Sequence, residues 1–258
     1  VAWKYVALAF KALIPALKFL KLGSVLPTLA TMALSVWVYQ MIFGWKFAFG
    51  FVILIFIHEM GHVFVAWRQG LPISAPLFIP MMGAIILSKQ QDKSAWEAAL
   101  MGIGGPVGGT LGALACHGIY AATGNLLFLG LAYVGYWLNL FNLMPVFPLD
   151  GGWIVGSISP FLWLFGLIAM VVGFFLGHFH NPMIWILLIV SLPRLWNGIR
   201  YGKPMGSNVM APATPSQKWI MGVAYVGLAA FLPAVTLMLV TGYVSDRYDR
   251  RMVLSLCC

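Results

Sequence analysis

Polar positions are so sparse along this chain that the apolar runs between them set its architecture. Runs near 25–43, 47–67, 95–122, 126–147, 160–177, 183–199 and 219–242 each approach the ~20 residues that a helix needs to cross a bilayer. The run at 183–199 is the weakest, because Pro193 and Arg194 interrupt it. This pattern predicts an all-α polytopic membrane protein with six to seven transmembrane helices. Residues 1–24 are also apolar, but Lys4, Lys11 and Lys18 recur every seven residues with Lys21 on the same side. A narrow basic stripe on an apolar helix predicts an interfacial amphipathic or anchor segment with snorkelling lysines. Residues 71–88 break the helical pattern: they are apolar, too short to cross and return, and interrupted by Pro72, Pro76, Pro80 and Gly83. A surface loop and a re-entrant segment both fit, and the re-entrant hairpin is preferred. Non-helical backbone is tolerated at membrane depth where protein or a water-filled cavity satisfies it. Ser207–Gln217, rich in Pro, Ala, Ser and Thr, reads as a polar loop. Three regions follow: the anchor over 1–24, a transmembrane core over 25–200 containing the hairpin, and 201–258 with the polar loop, a final helix and a basic tail.

Composition sharpens the class. Hydrophobic residues make up 62% of the chain and charged ones 8%, against about 25% charged in soluble domains. The chain is therefore expected to be an integral, multi-pass membrane protein. Its net charge of +9 would suggest nucleic acid in a soluble protein. Here the basic residues fall almost wholly between spans, so the bilayer and its anionic headgroups are the expected partners and nucleic acid is not. Alternating the spans puts Lys4, Lys11, Lys18, Lys21, Arg68, Lys89, Lys93, Arg194, Arg200, Lys203 and Lys218 on one side, which is eleven of the 15 basic residues. The positive-inside rule makes that side cytoplasmic. An odd number of spans leaves Arg247, Arg250 and Arg251 outside, where the rule does not favour them. Cys116, Cys257 and Cys258 make neither a disulfide framework nor a thiolate zinc site.

Only six residues are acidic, and Glu59 and Asp150 sit inside lipid-depth sequence. A carboxylate there costs roughly 2.5–3.5 kcal/mol on insertion scales, so each is a candidate for function. Glu59 lies within His58-Glu59-Met60-Gly61-His62, a spacing that sets two imidazoles on one helical face for zinc with the glutamate alongside. Coincidental core histidines are the bland alternative. Three adjacent ionisable groups without a ligand inside an apolar span would be expensive, which argues against it. Two histidines need a third ligand and leave a fourth position open for water. Asp150 suits best, since Pro145 and Pro148 end the preceding span on the cytoplasmic side and Gly151-Gly152 lets the backbone turn. His117 reads as a satisfied core histidine, and His178 and His180 fall in a loop on the opposite side. Asn142 could steady a substrate carbonyl or oxyanion, or make an interhelical hydrogen bond. Asn139 has only the second reading. Gly104-Gly105-Pro106-Val107-Gly108-Gly109 reads as close helix packing.

His58-Glu59-Met60-Gly61-His62 and Asn142-Leu143-Met144-Pro145-Val146-Phe147-Pro148-Leu149-Asp150-Gly151-Gly152, in this order and on separate helices, resemble the site-2 proteases, intramembrane zinc metalloproteases of the M50 type. The likeness covers roughly residues 45–200. It implies zinc held by His58, His62 and Asp150, Glu59 as general base and Asn142 as a substrate contact. It also implies that residues 71–88 are similar to a re-entrant β-hairpin whose edge strand pairs with an unwound substrate. Gly109 departs from the asparagine usual at that place, and Trp153 from the usual arginine. The expected function is hydrolysis of a peptide bond in or near the transmembrane segment of membrane-tethered substrates, from a site near the cytoplasmic face, with room for a regulatory membrane partner. The rival is a non-enzymatic zinc-binding membrane protein or a transporter. A transporter would want a polar path across the bilayer, and the outer halves of these helices offer almost none.

Overall fold

A computed structural model of the chain describes residues 25–71, 73–81, 83–86, 94–159, 161–175, 187, 189–193, 195–196, 200 and 211–256. The expected anchor over 1–24, His178, His180 and the cysteines at 257–258 lie outside them. Helix takes the long apolar runs, as it must where no water can satisfy the backbone. Helices α1 (Val25–Phe43) and α2 (Trp45–Arg68) are separated by Gly44 alone, whose φ of 79° is left-handed backbone that glycine adopts without strain. Helix α3 (Ala95–Thr123) starts at Ser94, whose hydroxyl accepts the Glu97 N–H at 3.2 Å, a cap of the kind that contributes about 1 kcal/mol. It stops at Gly124, whose N–H returns to the Tyr120 carbonyl at 2.7 Å. Asn125 then caps α4 (Leu126–Asn142) by accepting from the Leu127 N–H at 3.0 Å. Helices α5 (Asp150–Ile158), α6 (Leu162–Phe175) and α7 (Pro215–Leu256) follow.

Among the described residues, α1, α2, α3 and α7 as far as Val244 are long and apolar enough to cross a membrane, and α4 and the bulk of α6 are shorter apolar helices. The protein is a mostly helical integral membrane protein with a small two-stranded hairpin. Two boundaries differ from the apolar pattern. The run expected over 126–147 stops being helix at Asn142, ahead of Pro145 and Pro148, which cannot continue it. A short helix over 150–158 was not visible as a separate element, because nine residues carry too little periodicity to stand out.

The hairpin falls inside the expected segment. Strands β1 (Leu77–Ile79) and β2 (Gly83–Ile85) pair antiparallel, with Leu77 opposite Ile85, Phe78 opposite Ala84 and Ile79 opposite Gly83. Phe78 is buried among Val36 and Tyr39 of α1 and Val52 and Ile55 of α2. Helix α1 also supplies the polar partners that lipid cannot. Thr28 donates to the Pro76 carbonyl at 2.8 Å. The Phe78 N–H donates to Thr31 at 3.2 Å, and the Met81 N–H to the Tyr39 hydroxyl at 3.1 Å. Spending the Phe78 N–H on α1 makes Phe78/Ala84 the non-hydrogen-bonded pair of the ladder. The N–H and C=O of Ala84 therefore face the far edge of β2.

Helices α2 and α3 touch backbone to backbone. A Cβ on Gly61 would lie 2.1 Å from the Gly104 carbonyl oxygen, and one on Gly104 would lie 2.7 Å from the Gly61 oxygen. Small residues at such a crossing let membrane helices approach closely, so the glycine-rich stretch serves packing as expected. Gly61→Ala should lower stability in detergent by about 1–3 kcal/mol, the usual cost of overpacking a tight interface. Gly118→Ala, on the same helix α3 with nothing within 4 Å of the added carbon, should leave stability unchanged or slightly raised. Paired thermal or denaturant unfolding of the two variants checks both signs.

Candidate metal centre

The site joins the middle of α2 to the first residue of α5. His58 and His62, one turn apart, project from α2 toward α3 and α5, and Glu59 lies buried between them in sequence at 8% exposure. Asp150 arrives by a tightly held turn over 143–149. The Tyr225 hydroxyl from α7 donates to the Leu143 carbonyl at 2.7 Å, the Trp163 indole from α6 donates to the Gly152 carbonyl at 2.7 Å, and Ser191 donates to the Phe147 carbonyl. A Cβ on Gly151 would lie 2.1 Å from the Leu143 oxygen, and one on Gly152 would lie 2.6 Å from Val146. This corrects the reading of the two glycines as a turn. Both are helical, and they are needed because the helix start is pressed against the turn before it.

Asp150 Oδ2 lies 3.0 Å from His58 Nε2, Asp150 Oδ1 lies 3.3 Å from His62 Nε2, and the two Nε2 atoms are 3.3 Å apart. Proton accounting shows what this cluster lacks. The amide nitrogen of Asn139 donates to the Gly135 carbonyl at 2.6 Å, so its Oδ1 is the atom facing His58 Nδ1 at 2.9 Å. An amide oxygen only accepts, and therefore Nδ1 of His58 carries the hydrogen. His62 Nδ1 faces the Met101 carbonyl at 2.7 Å and must donate as well. In the neutral rings both Nε2 atoms then bear lone pairs, aimed at each other and at a carboxylate. Asp150 Oδ2 is correspondingly buried without a hydrogen-bond donor. Three lone-pair donors in one buried place call for a cation, since unpaired groups there would be costly.

Two imidazoles and a carboxylate form a donor set that zinc takes, and three protein ligands are the number a catalytic zinc site keeps. Among the described residues these are the His, Cys, Asp and Glu side chains that converge as a candidate metal group. Gly105 keeps the space beside them clear, since a Cβ there would lie 2.2 Å from His62 Nε2 and 2.6 Å from His58 Nε2. His117 stands apart, with Nδ1 at 3.1 Å from the Tyr136 hydroxyl, a core histidine as expected. Asn142 is half-buried, and its amide donates to Leu138 of its own helix at 3.1 Å. Sequence reasoning gave Asn139 no role beyond a hydrogen bond between helices. Only packing reveals which ring it meets.

Residues 46–124 match the model of Peptidase family M50. A protein named zinc metalloprotease from Methanocaldococcus jannaschii is 33% identical over 108 residues, which cover 40% of this chain and 31% of that one. A Synechocystis protein bearing a zinc metalloprotease name is 34% identical over 122 residues, covering 39% of this chain and 28% of its own length. The match thus spans less than a third of these curated relatives. The resemblance to the site-2 protease family rests on these comparisons as well as on the motifs. The family match takes in His58, Glu59, His62 and the glycine-rich helix but stops before Asp150, which is joined to them by geometry. Asp150→Ala should lower zinc affinity by more than the about 10–100-fold that loss of an outer-shell partner costs. Metal analysis of the purified variant checks this, and an undiminished zinc content would mean that another residue completes the site.

Proposed function

We propose that this chain, similar to Peptidase family M50 through its metal-ligand helix, is an intramembrane zinc endopeptidase of the site-2 protease type. Its substrates are membrane-tethered proteins, cut at a peptide bond in or near a transmembrane segment. The observation that carries the reading is the meeting of Asp150, at the start of α5, with His58 and His62 of an apolar helix that also holds Glu59. His58, His62 and Asp150 would hold the zinc. Bound there, zinc supplies Lewis-acid chemistry, acidifying water and polarising a carbonyl. Glu59 accepts a proton at a carboxylate oxygen as water adds to the scissile carbonyl carbon. It returns that proton to the nitrogen as the C–N bond breaks, leaving a carboxylic acid and an amine, and the acid's proton passes to the amine to give carboxylate and ammonium. Asn142 has a second amide hydrogen free of its helix bond, and this would donate to the substrate carbonyl or the oxyanion it becomes.

A helical peptide bond is shielded by its own hydrogen bonds, so the substrate must be extended before attack. The outer edge of β2, toward which the Ala84 N–H and C=O turn and where no described residue pairs with them, would be the place for such a strand to add. Ala84 of β2 packs against the cluster that contains Val52 and Ile55 of α2, which supports an edge lying beside the ligand helix. In this reading the chain crosses the membrane six to seven times and the site lies near the cytoplasmic face, below the surface; the excess of basic residues on the side of Arg68, six residues from His62, supports that orientation. A regulatory membrane partner remains compatible with this arrangement. Glu59→Gln should reduce cleavage of a fluorescent transmembrane peptide by about 10²–10⁴-fold, the range for a lost general base, while zinc content stays at the parent level. Cleavage unchanged by the substitution would remove Glu59 from this role. No cleavage by a zinc-loaded parent protein would favour a zinc-binding membrane protein without enzymatic activity.

A further inference from the structure

We propose that Asn139 is the positioning residue of His58, fixing which imidazole nitrogen is offered to the metal. The inference rests on the assignment of His58 as a ligand and goes beyond it. The two ligand histidines are oriented by different means. His62 gives its Nδ1 hydrogen to a backbone carbonyl, that of Met101, which no side-chain substitution removes. His58 gives its hydrogen to a side chain, Asn139 Oδ1 at 2.9 Å. That side chain is 1% exposed, so water does not stand in for it.

The orientation of the Asn139 amide is itself determined. Its nitrogen faces the Gly135 carbonyl at 2.6 Å, and a carbonyl accepts only. Flipping the amide would set oxygen against oxygen at Gly135. With Oδ1 held toward His58, the ring keeps its hydrogen on Nδ1 and its lone pair on Nε2, the atom 3.0 Å from Asp150. Helix α3 makes room for this. A Cβ at Gly109 would lie 2.2 Å from Asn139 Oδ1, so a side chain there would drive the amide away from the ring. Outer-shell partners of ligating histidines fix tautomer and ring orientation in this way, and their loss typically weakens metal binding by about 10–100-fold.

The test is zinc affinity of the full chain in detergent, measured by competition with a chromophoric chelator. Asn139→Leu, close in size but unable to accept a hydrogen bond, should lose about 10–100-fold. Asn139→Ala, which cannot overpack the site, should lose affinity in the same direction. Gly109→Ala should also weaken zinc while keeping every polar group. The visible spectrum of the cobalt(II)-loaded protein should shift in Asn139→Leu, because one ligand ring is no longer oriented as before. A role in packing alone would lower the unfolding temperature of the metal-free variants and leave zinc affinity and the cobalt spectrum at parent values, which would overturn the proposal. A parent protein that binds no zinc would overturn the metal assignment itself. A tight parent with equally tight Asn139 variants would remove only the positioning role.

Discussion

Two imidazole nitrogens and a carboxylate meet inside an apolar helical bundle, and with both rings neutral they have no proton to share; the surrounding helices are arranged around that fact. In water such a meeting would be relieved by solvent or by protonation. Inside an apolar bundle an uncompensated carboxylate is expensive, so something positive belongs there, and the three-ligand donor set suits a metal ion. The hydrogens that would otherwise relieve it are drawn off to the far sides of the rings, to Asn139 and to the Met101 carbonyl. Four helices thereby take part: α2 brings the rings, α3 brings the carbonyl, α4 the amide and α5 the carboxylate. Removing any one leaves a donor or an acceptor stranded.

Such convergence requires backbones to approach more closely than side chains allow. Gly61 and Gly104 let α2 and α3 touch, which brings the Met101 carbonyl within 2.7 Å of His62. Gly105 and Gly109, on the same helix, leave the volumes that the imidazoles and the Asn139 amide occupy. Gly151 and Gly152 do the same for the start of α5 against the turn before it. In each case the absence of a side chain, rather than freedom of the backbone, is what the position needs. The ligands are therefore fixed by packing as much as by their own chemistry.

Much of this was legible in the amino-acid sequence because its physics is local. The spacing of His58 and His62 sets both on one face of a helix whatever surrounds it, and two prolines three residues apart before Asp150 disfavour continuing the helix there, whereas the single Pro106 and Pro233 are accommodated inside helices. The hairpin was legible as a segment too proline-broken to be a crossing. What was not legible depends on contacts between elements. Asn139 and Asn142 lie three apart on the same helix, and nothing in their order says which meets a ring. Packing against Gly109 and Gly135 selects Asn139 for His58, while Asn142 turns to its own helix. Gly151-Gly152 read as a flexible corner, because the crowding by Leu143 and Val146 appears only once the turn has folded back on α5.

The hairpin raises the same question of where polar backbone can go, and α1 answers it for one strand only. Thr28, Thr31 and Tyr39 recur at helical spacing and turn a polar stripe toward β1, taking the Phe78 N–H of that strand and the Pro76 carbonyl and Met81 N–H beside it. No described residue does this for Ala84 of β2. An edge strand left open in a membrane protein is a standing cost unless water or another strand reaches it. Under the proposed function another strand does so, because the β2 edge is where an extended peptide would be received, close to the helix that holds His58 and Glu59.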